Sequence, residues 1–183
     1  VTTMNFPILE TERLVLRKLK IEDADSMYIY ASNDDVTKYV LWDSHTSPEQ
    51  TKQFLQFMID KYEQENYAWA VTLKDSDEFI GTIDYVMLDK KERIGEIGYA
   101  LSHLYWGKGY MSEAAKAILH YGFTELHLER IQARCFAENI GSERVMQKAG
   151  MVYEGTMRKA KLAKGTYYDL KMYSMIREEA DLS

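Results

Sequence analysis

The chain has 183 residues, of which 46% are hydrophobic and 28% are charged, and its formal net charge is −6. That length predicts a single domain over residues 1–183 with a sizeable core. The acidic balance argues against binding to a nucleic-acid backbone, which needs a basic face, and mildly favours a cationic partner such as an amine. No run of about 18 apolar residues is present, which argues against a membrane span.

The N-terminal segment and the cysteine content indicate the compartment. Val1 to Glu12 lacks a basic region followed by an apolar one, so we expect no signal peptide. Cys135 is the one cysteine, which suits a reducing cytoplasm, and its apolar surroundings in the sequence predict an inert core residue. We therefore expect a cytoplasmic protein.

The first half of the chain predicts a strand, two helices and a three-stranded antiparallel meander. Ser47 is a favourable N-cap and Pro48 a favourable first helical residue, so they mark the start of the second helix. Apolar residues recur along one side of that helix, and we expect them in the core: Phe54, Phe57, Met58, Ile59 and Tyr62. The predicted elements are a strand at 11–19, helices at 22–32 and 47–65, and strands at 67–74, 78–88 and 94–101.

The second half predicts a glycine loop, a helix to Phe123, a strand at 129–137, a helix at 139–149 ended by Gly150, and two more strands before Met175. The strand–helix–strand passage from 94 to 137 requires a parallel crossover. The fold class is therefore α/β of the α+β kind. We expect a single-domain, mixed and mostly antiparallel central sheet of about seven strands with helices on both faces.

The glycine loop between the strand at 94–101 and the following helix predicts an anion site. It reads Trp106-Gly107-Lys108-Gly109-Tyr110-Met111. Glycines let a phosphate approach the main chain, and the unpaired N–H groups and dipole of a helix start attract negative charge. Two glycines alone are a weak signal, because many such turns are only tight connections.

Three segments together resemble the GNAT family of acyl-CoA-dependent N-acetyltransferases, and within it the RimJ/RimL-like branch of ribosomal-protein N-terminal acetyltransferases. They are Thr11–Arg17 followed by Asp23 and Ala24, Gly107–Ala114, and Asn139–Met151. The resemblance spans about residues 10–176 in the right order. The chain departs from the family's Q/R-x-x-G-x-G/A loop at Trp106 and Met111. It also carries Met146 where many members have the tyrosine that protonates the leaving thiol.

The resemblance implies direct attack of a primary amine on acetyl-CoA and gives roles to particular residues. The spacing of the histidines separately predicts no metal. Glu96 is the leading candidate base, with Asp84 and Glu113 as weaker ones, and a backbone N–H at Ala100 or Leu101 would polarise the thioester carbonyl. Ser142 would hydrogen-bond the departing thiol, and Trp42 and Asp43 would hold the acceptor amine. The remaining residues implied to contact the cofactor are Trp106, Gly107, Lys108, Gly109, Tyr110, Met111, Asn139, Arg144 and Lys148.

The acceptor is left open by the sequence. It is a protein N-terminus, for instance of a ribosomal protein, or a small amine such as a polyamine, an amino acid or an aminoglycoside. A non-catalytic CoA-binding module is a further alternative, whereas a kinase-like protein is disfavoured because the loop lacks G-x-x-x-x-G-K-[ST]. The four histidines have no metal-binding spacing, and exposed aromatics among the 14 tyrosines would fit a homodimer.

Overall fold

The structure, a computed structural model, describes residues 6–183, so the first five residues of the segment predicted to lack a signal peptide lie outside it. Its strands and helices follow the predicted order, apart from an unpredicted strand of two residues at the start and an unpredicted helix of four residues after the first helix. They are β1 (Leu9–Glu10), β2 (Leu14–Arg17), α1 (Ala24–Ala31), α2 (Asp34–Thr37), α3 (Pro48–Asp60), β3 (Ala68–Leu73), β4 (Phe79–Asp89), β5 (Ile94–Leu101), α4 (Tyr110–Thr124), β6 (Arg130–Phe136), α5 (Ile140–Lys148), β7 (Val152–Ala163) and β8 (Thr166–Ile176). Short 3-10 turns lie at Ile21–Asp23, Lys61–Gln64, His103–Tyr105 and Arg177–Glu179.

The strands form one mixed sheet in the order β1-β2-β3-β4-β5-β6-β8-β7. The predicted fold class is confirmed, and so is the parallel crossover, because β5 pairs in parallel with β6 after the chain passes through α4. The strand missing from the prediction is β1. It has two residues and pairs with β2 at Leu9 and Leu16, and two residues are too few to show an alternating pattern.

Local sequence signals start and stop the helices as expected. The Ser47 hydroxyl accepts a hydrogen bond from the Gln50 N–H at 3.2 Å, at the start of α3. Asn139 accepts one from the Ser142 N–H at 3.1 Å, at the start of α5, and Gly150 ends that helix with φ of 90°. These caps satisfy main-chain groups that a helix end would otherwise leave unpaired.

The described chain divides into two compact units. The first takes in the residues up to Lys38 together with Trp42–Asp84 and Tyr99–Tyr110. In its core, α1 and α3 pack over one face of β3, and this helix-covered face carries Ala68 and Ala70. The other core residues on this face are Leu19, Ala24, Met27, Tyr30, Ala31, Leu55, Tyr62 and Phe79.

Two residues of the predicted apolar stripe on α3 are not in that core. Phe54 is 43% exposed and Phe57 is 57% exposed, so the prediction was wrong for both. The helix buries Thr51 and Leu55 completely instead. Since these two residues lie one turn apart, the buried side of α3 is rotated away from the two phenylalanines.

The second unit comprises Tyr39–Leu41, Tyr85–Gly98 and Met111–Ser183. Here α4 packs closely on the sheet, and the Tyr85 hydroxyl donates to the Ile118 carbonyl at 2.7 Å. A Cβ atom at Gly122 would collide with the Tyr85 hydroxyl, so only glycine fits this part of α4. None of the helices in the described residues is long and apolar enough to cross a membrane.

Candidate functional site

The glycine loop of the first unit has the backbone geometry of an anion site. Gly107 and Gly109 adopt φ of 77° and 80°, values that favour glycine. A Cβ atom at Gly107 would meet nothing within 4 Å, so the space beside it is open. Within the described residues, the N–H groups of Gly107, Lys108 and Gly109 have no main-chain acceptor. The loop therefore offers open space and main-chain N–H groups to an anion.

Arg13 fixes the shape of this loop, a role that the sequence did not reveal. Its Nη1 donates to the Lys108 carbonyl at 3.0 Å, and its guanidinium lies 4.3 Å from the centre of the Tyr110 ring. Arg13 belongs to the first segment that carries the family resemblance, which was the available signal. Sequence spacing alone cannot find a contact between residues 95 positions apart.

Trp106 ties the loop to the end of β5. Its indole Nε1 donates to the Leu101 carbonyl at 3.0 Å, although the side chain is 48% exposed. Ala100 approaches β4 so closely that its carbonyl would collide with a Cβ at Gly81. The structure thus brings several predicted residues together around the loop, namely Ala100, Leu101, Trp106, Gly107, Lys108, Gly109 and Tyr110.

The predicted acceptor residues lie in the segment before α3. Trp42 is 36% exposed, and its ring lies 5.4 Å from that of His45, which in turn lies 5.9 Å from Phe54. The His45 ring is held by a 2.7 Å contact of Nδ1 with the Thr51 hydroxyl, and burial lowers its pKa. Asp43 is exposed beside Trp42, so an aromatic surface and a carboxylate adjoin there.

Glu96, the predicted base, lies in the second unit and is only 8% exposed. Its Oε1 accepts from the Gln132 amide at 2.7 Å, and its Oε2 accepts from Nη2 of Arg134 at 3.1 Å. The pairing of β5 with β6 also ends here, at Glu96 and Gln132. Both carboxylate oxygens are therefore engaged at the point where the two strands part.

Ser142, the predicted thiol partner, lies in the first turn of α5 beside Cys135. Its side chain hydrogen-bonds the Cys135 thiol, whose pKa is raised to about 11, mainly by burial. The thiol therefore stays protonated near neutral pH, which fits the interpretation of Cys135 as inert. Met146 is 1% exposed and forms part of the core, and its thioether has no proton to donate.

The remaining predicted cofactor residues differ in exposure. Arg144 and Lys148 are exposed on α5, whereas Met111 is buried at the start of α4. Glu143, not singled out from the sequence, accepts from Lys171 at 3.0 Å and from the Tyr173 hydroxyl at 2.5 Å. These two donors lower the pKa of Glu143, so this carboxylate is already used within the fold.

Asp84, one of the weaker candidate bases, lies in the first unit near the end of the pairing between β3 and β4, opposite Ala68. Burial raises the pKa of its carboxyl from 3.8 to about 7, and the charge of Lys61 moderates the rise. In the part of the chain that the structure describes, no cluster of three or more His, Cys, Asp or Glu side chains could hold a metal ion.

The sequence matches known acetyltransferases along most of its length. The profile of the acetyltransferase (GNAT) domain family matches residues 13–152. An uncharacterized N-acetyltransferase of Bacillus subtilis, YoaA, is 38% identical over 173 residues, covering 94% of this chain and 98% of that protein. The ribosomal-protein-serine acetyltransferase of Escherichia coli is 28% identical over 130 residues, covering 71% and 72% of the two chains.

Solved structures agree with the sequence matches. A GNAT-family acetyltransferase from Bacillus anthracis superposes with a TM-score of 0.85 at 33% identity, covering 94% of this chain and 99% of that one. RimL, a ribosomal-protein α-N-acetyltransferase solved with coenzyme A, superposes with a TM-score of 0.81 at 23% identity, covering 96% and 100% of the two chains. At 23% identity, the similarity to RimL shows a shared fold only.

Proposed function

Because the chain belongs to the GNAT family and is an N-acetyltransferase, we propose that it transfers an acetyl group from acetyl-CoA to the N-terminal α-amine of a protein. The open glycine loop is the observation that carries the proposal. Arg13 hydrogen-bonds this loop, and within the described residues the loop N–H groups at Gly107, Lys108 and Gly109 have no main-chain acceptor. The likeness to the Escherichia coli enzyme named for a ribosomal protein supports this class of acceptor. The predicted cytoplasmic location is consistent with it.

The loop and the exposed cations supply the cofactor contacts in this proposal. The N–H groups of the loop would bind the pyrophosphate, with the start of α4 behind them. Lys108, Arg144 and Lys148 would pair with the phosphates of CoA, since each presents a cation that the described residues do not neutralise. Acetyl-CoA supplies the activated acetyl group.

The chemistry needs a neutral amine, a polarised carbonyl and a hydrogen bond for the leaving sulfur. The backbone at Ala100 or Leu101 would donate to the carbonyl, and Ser142 would donate to the sulfur because Met146 cannot. Glu96 is the base predicted from the sequence. An α-amine has a pKa of about 8, against about 10.4 for lysine, so it loses its proton more easily near neutral pH and a weak base is sufficient.

The acceptor would bind at Trp42 and Asp43. An ammonium group can lie against the face of an indole ring and pair with a carboxylate at the same time. Both side chains are accessible on the segment before α3, where variation between relatives would change the acceptor and leave the rest of the reaction unchanged.

The test is release of free CoA thiol from acetyl-CoA in the presence of different amines. The panel contains peptides with free N-termini, the same peptides blocked at the N-terminus, polyamines, free amino acids and aminoglycosides, and mass spectrometry locates the added acetyl group. We expect release with the free peptides and modification of their α-amine. Release with the blocked peptides alone would contradict the proposal, because only lysine side chains are then available.

A small-amine acceptor is the second candidate, favoured by the aromatic surface formed by Trp42, His45 and Phe54. Release with polyamines or aminoglycosides but with no peptide would establish it. Binding of acetyl-CoA without release for any amine would support a non-catalytic CoA-binding module. A homodimer stays a prediction, to be measured by sedimentation.

A further inference from the structure

Asp84 occupies a defined place on the helix-covered face of the first unit. In the antiparallel pairing of β3 with β4, Ala68 lies opposite Asp84, and Ala70 lies opposite Thr82. Residues directly opposite each other in such a pair project from the same face of the sheet. Ala68 and Ala70 are part of the core under α1 and α3, so Asp84 projects towards those helices.

Ala100 lies on this same face. It packs against the core formed by α1, α3 and β3. Close by, the Ser102 N–H donates to the Ile80 carbonyl at 2.8 Å, which aligns the end of β5 with β4. The backbone of Ala100 is also one of the two predicted donors to the thioester carbonyl. Asp84 and Ala100 therefore belong to one face of the first unit.

The Asp84 carboxylate has no partner of its own. Within the described residues it forms no hydrogen bond and no ion pair. The nearby cation, Lys61, lies 4.3 Å from the Phe57 ring instead. The residue is neither fully buried nor exposed. An unpaired carboxylate in partly desolvated surroundings is costly to keep, which is typical of a group with a chemical role.

We infer that Asp84 takes the proton from the acceptor ammonium group, so that the neutral amine can attack the acetyl carbon. The role depends on the proposed acetyl transfer. After that proton moves to Asp84, the nitrogen forms the C–N bond and the C–S bond breaks with its electron pair on sulfur. The nitrogen then loses a second proton as the amide forms, and that proton ends on the CoA sulfur.

The acidity of Asp84 suits this step. Its pKa of about 7 makes it an effective base near neutral pH, because it is ionised yet binds a proton readily. Two titratable side chains interact with it, Lys61 and Tyr62 after α3. Asp23 in turn interacts with Tyr62, and Tyr30 on α1 hydrogen-bonds Thr82, two residues before Asp84. Asp23 is already paired with Arg17 at 2.8 Å, and the pKa of Tyr62 is raised to about 12 and that of Tyr30 still further. Lys61 is thus the one group of this set whose charge directly tunes Asp84.

Glu96 is less well placed to accept a proton. Its two oxygens already accept hydrogen bonds from Gln132 and Arg134. These donors, one of them a cation, hold the Glu96 side chain against β6. Asp84 has no such donor.

The experiment compares kcat/KM for wild type, Asp84→Asn and Asp84→Glu between pH 6 and pH 9.5, with a peptide acceptor found in the panel. Asp75→Asn, in the exposed turn before β4, is the matched control. We expect Asp84→Asn to lower kcat/KM by about 100-fold at pH 7, and the loss to shrink towards pH 9.5, where the α-amine is neutral without help. Asp84→Glu should recover part of the activity, and Asp75→Asn should match wild type.

Two further measurements exclude a purely structural effect. Affinity for acetyl-CoA, measured by calorimetry, should be the same in Asp84→Asn and wild type. Lys61→Gln should shift the acidic limb of the pH profile upward, because removing its positive charge raises the pKa of Asp84. Wild-type kcat/KM and an unchanged acidic limb in Asp84→Asn would overturn the inference. Absence of turnover by wild type with every amine would instead overturn the proposed function, and the role of Asp84 with it.

Discussion

Two carboxylates on neighbouring strands have opposite surroundings. Glu96 is surrounded by donors, and its charge is balanced by Arg134. Asp84 has no donor, and its pKa is raised to about 7 by burial. The family resemblance makes both candidate bases and favours Glu96, because its strand precedes the glycine loop. The sequence could not show which side chains bond to either carboxylate, since those contacts come from other strands.

Replacing Glu96 by glutamine tests the two assignments against each other. If Asp84 is the base, Glu96→Gln should keep the acidic limb of the pH profile and lose less than about 10-fold in kcat/KM. The stability loss should be under about 1 kcal/mol, because Arg134 is 44% exposed and its ion pair is screened by water. The measurement is kcat/KM against pH for both variants. If Glu96→Gln loses the acidic limb of this profile while Asp84→Asn keeps it, Glu96 is the base.

The order of elements followed from short-range patterns, and the details of their packing did not. Caps at Ser47 and Asn139 bond only three residues away, so residue type and spacing suffice to find them. The exposure of Phe54 and Phe57 depends on how α3 is rotated against β3, which a stripe of five apolar residues leaves undetermined. The brace from Arg13 to the glycine loop is equally non-local.

The glycine loop offers a matched pair of substitutions. Gly107 and Gly165 share φ of 77°, and a Cβ at either position would meet nothing within 4 Å. Alanine should therefore cost each variant a similar amount of stability, about 1 kcal/mol, from the left-handed backbone alone. Only Gly107→Ala should also weaken acetyl-CoA binding, by roughly 10-fold, because its methyl group enters the space proposed for the pyrophosphate.

Calorimetric titration with acetyl-CoA and thermal unfolding of the two glycine variants provide the measurements. Equal affinity in Gly107→Ala, Gly165→Ala and wild type would show that the phosphates bind elsewhere. A loss of affinity in Gly165→Ala as large as that in Gly107→Ala would point to a general loss of structure, since Gly165 lies in the turn between β7 and β8.

For the whole molecule, the pH dependence of unfolding should carry the signature of Asp84. Its pKa is about 7 in the folded protein and near 3.8 in the unfolded chain, so the folded state holds the proton over the range between them. The contribution of this carboxyl to the free energy of unfolding must therefore fall as pH rises from about 4 to about 7, and its full cost is present above pH 7. The shift corresponds to about 4 kcal/mol, and partial exposure of the side chain reduces the expected cost to roughly 2 kcal/mol.

Asp84→Asn removes this cost, because an amide carries no charge at any of these pH values. The difference in free energy of unfolding between the variant and wild type should favour the variant at pH 8 and vanish towards pH 4, as measured by urea denaturation at each pH. If Asp84 were needed only for structure, its substitution would lower the free energy of unfolding of the protein at every pH. If Asp84→Asn unfolds more easily at pH 8 and turns over slowly, Asp84 supports the fold. If the variant is more stable at pH 8 and turns over slowly, Asp84 is a carboxylate kept unpaired for proton transfer, which is the expected result.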